Sequence, residues 1–186
     1  GNHEFDGREL DTAWPALRTH CAALGITLLE RESMVLAAPD GRRIRFVATV
    51  RWCDFDLYGA AQRERALRAG VYFQRVMAAT KGGATFDAQA VRHEALACRD
   101  WLAETLAEPA AGRWDATVAI THFAPSAACT DPRYGRQPSS ACFCNADDAL
   151  LPRAALWLHG HVHSRHDLRL HGTRVVSQAR GLAAKG

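Results

Sequence analysis

The stretch AALWLHGHVHSRHDLRLHGTRVVSQ, residues 154–178, decides the architecture. Its first five residues are apolar without alternation, as a strand covered on both faces reads. A polar cluster, HGHVHSRHD, follows with no spacer. DLRLHGTRVVSQ then alternates on either side of His171-Gly172, the signature of a hairpin turning at that pair. Upstream, ATVAI (116–120) is a second uninterrupted apolar run, and it leads into a 28-residue polar stretch, 121–148, rich in Pro, Ser and Ala. A loop of that length inside a compact domain is usually functional.

Working outward from these runs, helices and strands alternate. Residues 11–25 read as a helix with Asp11 or Thr12 at its start, Pro15 in its first turn and Gly25 at its end; Trp14, Leu17, Cys21 and Leu24 give it one apolar face. ITLLE (26–30) and MVLAAPDGRRIRFVATV (34–50) read as three short strands, the last two joined through PDGR. A helix broken near Gly70 is expected over 58–79, a plain loop over KGGATF (81–86), and a long helix over 87–108 with Val91, Leu96, Trp101, Leu102 and Leu106 inward. Core strands with helices between them make the chain α/β.

The 186 residues suit one domain, and 48% apolar with 23% charged residues is a globular composition. The formal charge of +3 is spread along the chain, without the clustered basic stripe of a nucleic-acid binder. Apolar runs are too short for a membrane span, and no secretory signal is visible. The six cysteines contain no C-x-x-C pair and read as reduced thiols, so the expectation is a cytoplasmic protein. A zinc module built on Cys142, Cys144 and histidines is disfavoured by the tight C-x-C spacing.

Three polar clusters stand out: GNHE at 1–4, THF at 121–123 and HGHVH at 159–163. The last two follow short apolar strands, where ligands collect in open α/β sheets. His161 and His163, spaced i, i+2 after Gly160, can face one crevice, and neutral imidazole is a common ligand of first-row metals. His122 alone reads better as an ordinary strand-end histidine, and the Asn2-His3 pair alone is a weak signal, since Asn-His is common in turns. The other histidines are assigned bland places: His159 packed, His166 and His171 facing solvent, His20 and His93 on helix surfaces. Glu4 orients His3 or begins a helix. Arg133 and Tyr134 contact substrate or anchor their loop.

The ordered set G-N-H-E, T-H-F-A-P-S and G-H-V-H resembles the calcineurin-like metallophosphoesterases. RWCDFDLYG (51–59), PRYG (132–135) and WLHGHVHSRHDLRLHGTRVVSQARG (157–181) extend the likeness over nearly the whole chain. The resemblance implies a sandwich of two mixed β-sheets flanked by helices and a centre of two divalent ions, Mn, Fe, Zn or Ni. It implies that Asn2, His122 and His161 bind the second metal and His163 the first. It implies that His3 protonates the leaving group or clamps the transition state. The implied activity is hydrolysis of phosphoesters, as a phosphatase or phosphodiesterase, on a small-molecule or phosphoprotein substrate, by a hydroxide that the two metals activate.

The family's D-x-H and G-D-x-x-D motifs, which supply the carboxylates, precede G-N-H, and residues 1–186 hold neither. The expectation is therefore a single calcineurin-like domain, 1–186, lacking its N-terminal βαβ portion and impaired by that loss. The alternative is an inactive fragment with at most one weak metal site, acting only by binding. Two departures, Phe123 in place of a second histidine and SQARG (177–181) in place of C-N-P-R-G, are expected to bear on substrate fit.

Overall fold

The computed structural model describes residues 1–179; of the SQARG stretch, Arg180 and Gly181 lie outside the described residues. Among the described residues, eight strands and three α-helices follow one another as α1 (Leu10–Ala23), β1 (Glu32–Ala37), β2 (Arg43–Thr49), α2 (Arg63–Ala69), β3 (Thr80–Lys81), β4 (Ala84–Thr85), α3 (Ala88–Ala107), β5 (Ala116–Thr121), β6 (Leu156–His159), β7 (Arg165–Leu170) and β8 (Thr173–Gln178). Six strands form one mixed sheet in the order β1-β2-β5-β6-β8-β7, and β3-β4 form a small antiparallel sheet. The four inner strands are parallel and the two edges antiparallel. The fold is α/β, as expected. Among the described residues no helix is long and apolar enough to cross a membrane.

The uninterrupted apolar runs became the inner strands because parallel strands are covered from both sides by crossover connections. β7 and β8 turn at His171 (φ 50°) and Gly172 (φ 87°), the paired positive angles a two-residue hairpin demands. The sheet carries two unlike faces. One presents Val47, Ala119, Trp157 and Val175, all fully buried, with α3 packed over it. On the other, Ile44, Phe46, Ile120, Leu156, Leu158 and Val176 are only half-buried, and Leu36 at the edge is 47% exposed.

Several local expectations are corrected. ITLLE is irregular rather than a strand. KGGATF forms the β3-β4 hairpin, pinned when the Glu9 carboxylate accepts from Thr80 Oγ1 and from the Gly82 amide. α1 begins at Leu10 without a side-chain cap, whereas α3 is capped by Asp87, whose carboxylate accepts from the Gln89 and Ala90 amides. In α3, Ala95 and Cys98 are fully inward, while Leu96 and Trp101 lie half-covered on its flank. The break at Gly70 has a packing cause. A Cβ there would lie 2.8 Å from Phe55 Cε1 and 2.9 Å from Ala88 Cβ.

The long connection 121–148 is tethered by a buried ion triad. Arg51, fully buried, donates from Nε and Nη2 to both oxygens of Asp147 at 2.9 and 2.8 Å and from Nη2 to Asp54 at 2.8 Å. Its Nη1 donates to the Trp52 and Ala95 carbonyls. Burial works against the guanidinium charge, but the two carboxylates outweigh it and raise its pKa.

Candidate active site

The carboxyl ends of β5 and β6 lie side by side, and each hands its first loop residues to one crevice. His122 follows β5 directly; its amide donates to the Val50 carbonyl, and the Gly160 amide after β6 donates back to the His122 carbonyl at 3.1 Å. Asn2 reaches the same point from the other end of the chain. Its Oδ1 lies 2.8 Å from His122 Nε2, although 120 residues separate them. The His161 ring lies 5.0 Å from that of His122 and 6.5 Å from that of His163. The structure therefore brings Asn2, His122, His161 and His163 together. His122, His161 and His163 were signalled by their place after β5 and β6, and Asn2 by the GNHE cluster.

The turn bearing the two histidines is strained. The Val162 amide donates to the Gly160 carbonyl at 2.8 Å, closing a three-residue turn around His161, whose φ is 64°; His163 also has a positive φ, 54°. A γ-turn with positive φ is rare and costly for a side-chain-bearing residue. Such strain concentrates at functional sites. Gly160 is not the left-handed residue, and a Cβ on it would meet His122 Nδ1 at 3.4 Å, close to an ordinary contact. Gly1 is tighter still, with a Cβ position 2.6 Å from the His122 ring.

Hydrogen bonds fix the imidazole tautomers. His161 Nε2 lies 3.2 Å from the Cys142 carbonyl, an acceptor, so that nitrogen carries the proton and Nδ1 holds the lone pair. Orientation of this kind through a carbonyl is typical of metal-binding histidines. Burial, followed by the neighbouring imidazoles, pushes His161 well below its ordinary pKa. Burial and nearby positive groups bring His122 to about 3. Both rings are neutral at physiological pH, the form that ligates.

These residues suit a divalent ion. Adjacent donors around an octahedral ion at 2.0–2.1 Å stand about 2.9 Å apart, close to the Asn2–His122 spacing. Asn2 is fully buried, yet its Nδ2 has no hydrogen-bond partner. An amide oxygen with imidazole nitrogens is a donor set for borderline first-row metals. No carboxylate among the described residues is hydrogen-bonded to Asn2, His122 or His161.

The remaining residues divide differently from expectation. His3 is half-exposed at the rim, and Asp6 rather than Glu4 pairs with it, Nδ1 to Oδ2 at 2.7 Å; Glu4 turns to the Gly1 amino group. Phe123 is fully buried with its ring 4.1 Å from that of His161, so it is a wall behind the histidine and cannot touch substrate. Arg133 closes on Asp131 within its own loop. His166 faces inward and pairs with His159 at 2.8 Å, contrary to a solvent-facing place. Asp6 and the Cys142 carbonyl were missed because neither sits in a polar motif.

No family model and no curated protein matches the chain. Among solved structures, the phosphopantetheinyl hydrolase of Mycobacterium tuberculosis superposes with a TM-score of 0.70 at 17% identity, over 100% of this chain and 68% of its own. A candidate 5′-nucleotidase of Staphylococcus aureus bound to α-ketoglutarate aligns at TM-score 0.49 and 15% identity, over 97% of this chain and 32% of its own. The first likeness shows that the fold is of the metallophosphoesterase type.

Proposed function

We propose that this chain is the C-terminal part of a metal-dependent phosphoester hydrolase of the calcineurin-like kind. The observation that carries the reading is the meeting of Asn2 and His122, from two distant segments, with His161 on its strained turn at the strand ends. Asn2 Oδ1, His122 Nε2 and His161 Nδ1 are the donors for one divalent ion, and His163 is a donor for its neighbour. Ions held there supply charge neutralisation for a phosphoryl group and acidify water.

The protein's own contribution is positioning and proton transfer. Asp6 accepts from His3 Nδ1–H and so leaves Nε2 as the atom that exchanges a proton with the leaving-group oxygen. The Cys142 carbonyl holds His161 in its ligating tautomer; His122 Nε2–H donates to Asn2 Oδ1, and moving that proton to Nδ1 frees both atoms to face one ion. Substrate binds at the open rim between His3 and His163 as a phosphate monoester or diester.

His163 alone cannot hold a catalytic ion, since such sites have three or more protein ligands. The missing carboxylates are assigned to a segment outside residues 1–186 that bears D-x-H and G-D-x-x-D. The half-buried apolar face of the sheet supports this, because a further β-layer from the same segment would cover it. Hydrolysis of p-nitrophenyl phosphate and its bis ester with added Mn²⁺ tests the proposal. Turnover is expected to be weak for residues 1–186 and restored when that segment is fused in front of Gly1. An extended chain that binds two metals and cleaves neither ester contradicts it.

A further inference from the structure

A second cluster lies beneath the first, on the buried face of the sheet. Cys129 from the long connection, His159 at the end of β6 and His166 on β7 present their ligand atoms within 4.8 Å of one another. Cys129 is fully buried and His159 is 8% exposed. His159 Nδ1 lies 3.0 Å from the Gly160 carbonyl, so Nδ1 carries the proton and Nε2 points its lone pair into the cluster. That lone pair meets His166 Nε2 at 2.8 Å. The two imidazoles form an otherwise unusual nitrogen-to-nitrogen contact with a thiol beside it.

An independent feature points to the same spot. Ser177 on β8 pairs in register with His159 on one side and His166 on the other, so the three share one sheet face. It is fully buried, and its hydroxyl has no hydrogen-bond partner. A buried hydroxyl without a partner is costly. It is a group awaiting one.

We propose that Cys129, His159 and His166 form a zinc site separate from the candidate active site. One sulfur and two imidazole nitrogens are a donor set zinc takes readily, with the fourth position open. Tetrahedral ligands at about 2.05 Å stand roughly 3.3 Å apart, so the two rings need to part by about half an ångström. The fourth donor, a water, hydrogen-bonds to the Ser177 hydroxyl. On binding, the Cys129 S–H bond is replaced by an S–Zn bond and one proton is released to solvent. The His166 proton moves from Nε2 to Nδ1 with no net change. The ion ties the 121–148 connection to the β7-β8 edge, bracing the segment whose Cys142 carbonyl orients His161.

The test uses the 186-residue chain, stripped with chelator and titrated with Co²⁺ and then Zn²⁺. One equivalent of Co²⁺ is expected to produce the near-ultraviolet thiolate-to-cobalt charge-transfer band, and Zn²⁺ to displace it. Cys129→Ser removes the band, and His166→Ala weakens binding at least about 10-fold; His161→Ala and Cys142→Ser leave the band intact. Zn²⁺ at about 100 times its Kd raises Tm by roughly 5–10 °C in the parent chain and not in Cys129→Ser. Circular dichroism verifies folding. If Cys129→Ser does not fold, His166→Ala decides, because His166 is half-buried on an edge strand. No band in the parent chain, or a band that survives either variant unchanged, overturns the proposal. Loss of the band in His161→Ala overturns its separateness from the active site.

Discussion

Replacing Arg51 by methionine leaves the Asp54 and Asp147 carboxylates facing each other, buried, with their guanidinium gone. Both are at most 5% exposed as side chains, and Arg51 is wholly enclosed. Removing one partner of a buried ion group costs about 3–5 kcal/mol, because the remaining charge is uncompensated. Unfolding entropy near 2.1 cal/mol/K per residue gives about 0.39 kcal/mol/K for 186 residues. The expected fall in Tm is therefore about 8–13 °C. Scanning calorimetry and guanidinium unfolding measure it. The control is Arg42→Met, whose partner Asp40 is 52% exposed and whose loss should cost about 1 kcal/mol or less. Amide exchange should also quicken around 142–147, where the triad holds the long connection. A fall below about 3 °C would refute the claim that the triad fastens that segment.

Gly70→Ala should cost about 1–3 kcal/mol by overpacking, since the new methyl meets Phe55 and Ala88 at under 3 Å; an unchanged Tm contradicts the packing account of the break. Burial raises the Glu30 carboxyl above its ordinary value of 4.5. The native state then keeps a proton that the unfolded chain has lost, so stability falls as pH rises from 4.5 through the raised value; Glu30→Gln should flatten that part of a Tm-versus-pH curve. In the extended protein, His3→Ala should lower turnover about 100-fold or more while metal content by mass spectrometry is unchanged; loss of metal would show that His3 is a ligand instead.

The parallel core and its hairpin were readable because their strands announce themselves by apolar runs and by His171-Gly172. ITLLE, with three apolar residues in five, satisfies a strand pattern without finding a strand to pair with. The β3-β4 hairpin was invisible since Glu9, 71 residues away, holds it. Within the site, the three imidazoles stood in polar motifs directly after apolar strands and Asn2 in the polar GNHE cluster, so all four could be named. Asp6, the Cys142 carbonyl and the His159–His166 pair could not, because backbone acceptors and inward-facing edge residues leave no local pattern. His166 lies in an alternating stretch whose inward set only the register with β8 identifies.

Mn²⁺ binding by the 186-residue chain, followed by electron paramagnetic resonance, tests the central claim most directly. Mn²⁺ favours oxygen and imidazole donors over the thiolate of the second cluster. One Mn²⁺ is expected per chain, with affinity reduced at least about 10-fold in His161→Ala and unchanged in His3→Ala. Binding that is indifferent to His161 would contradict the account.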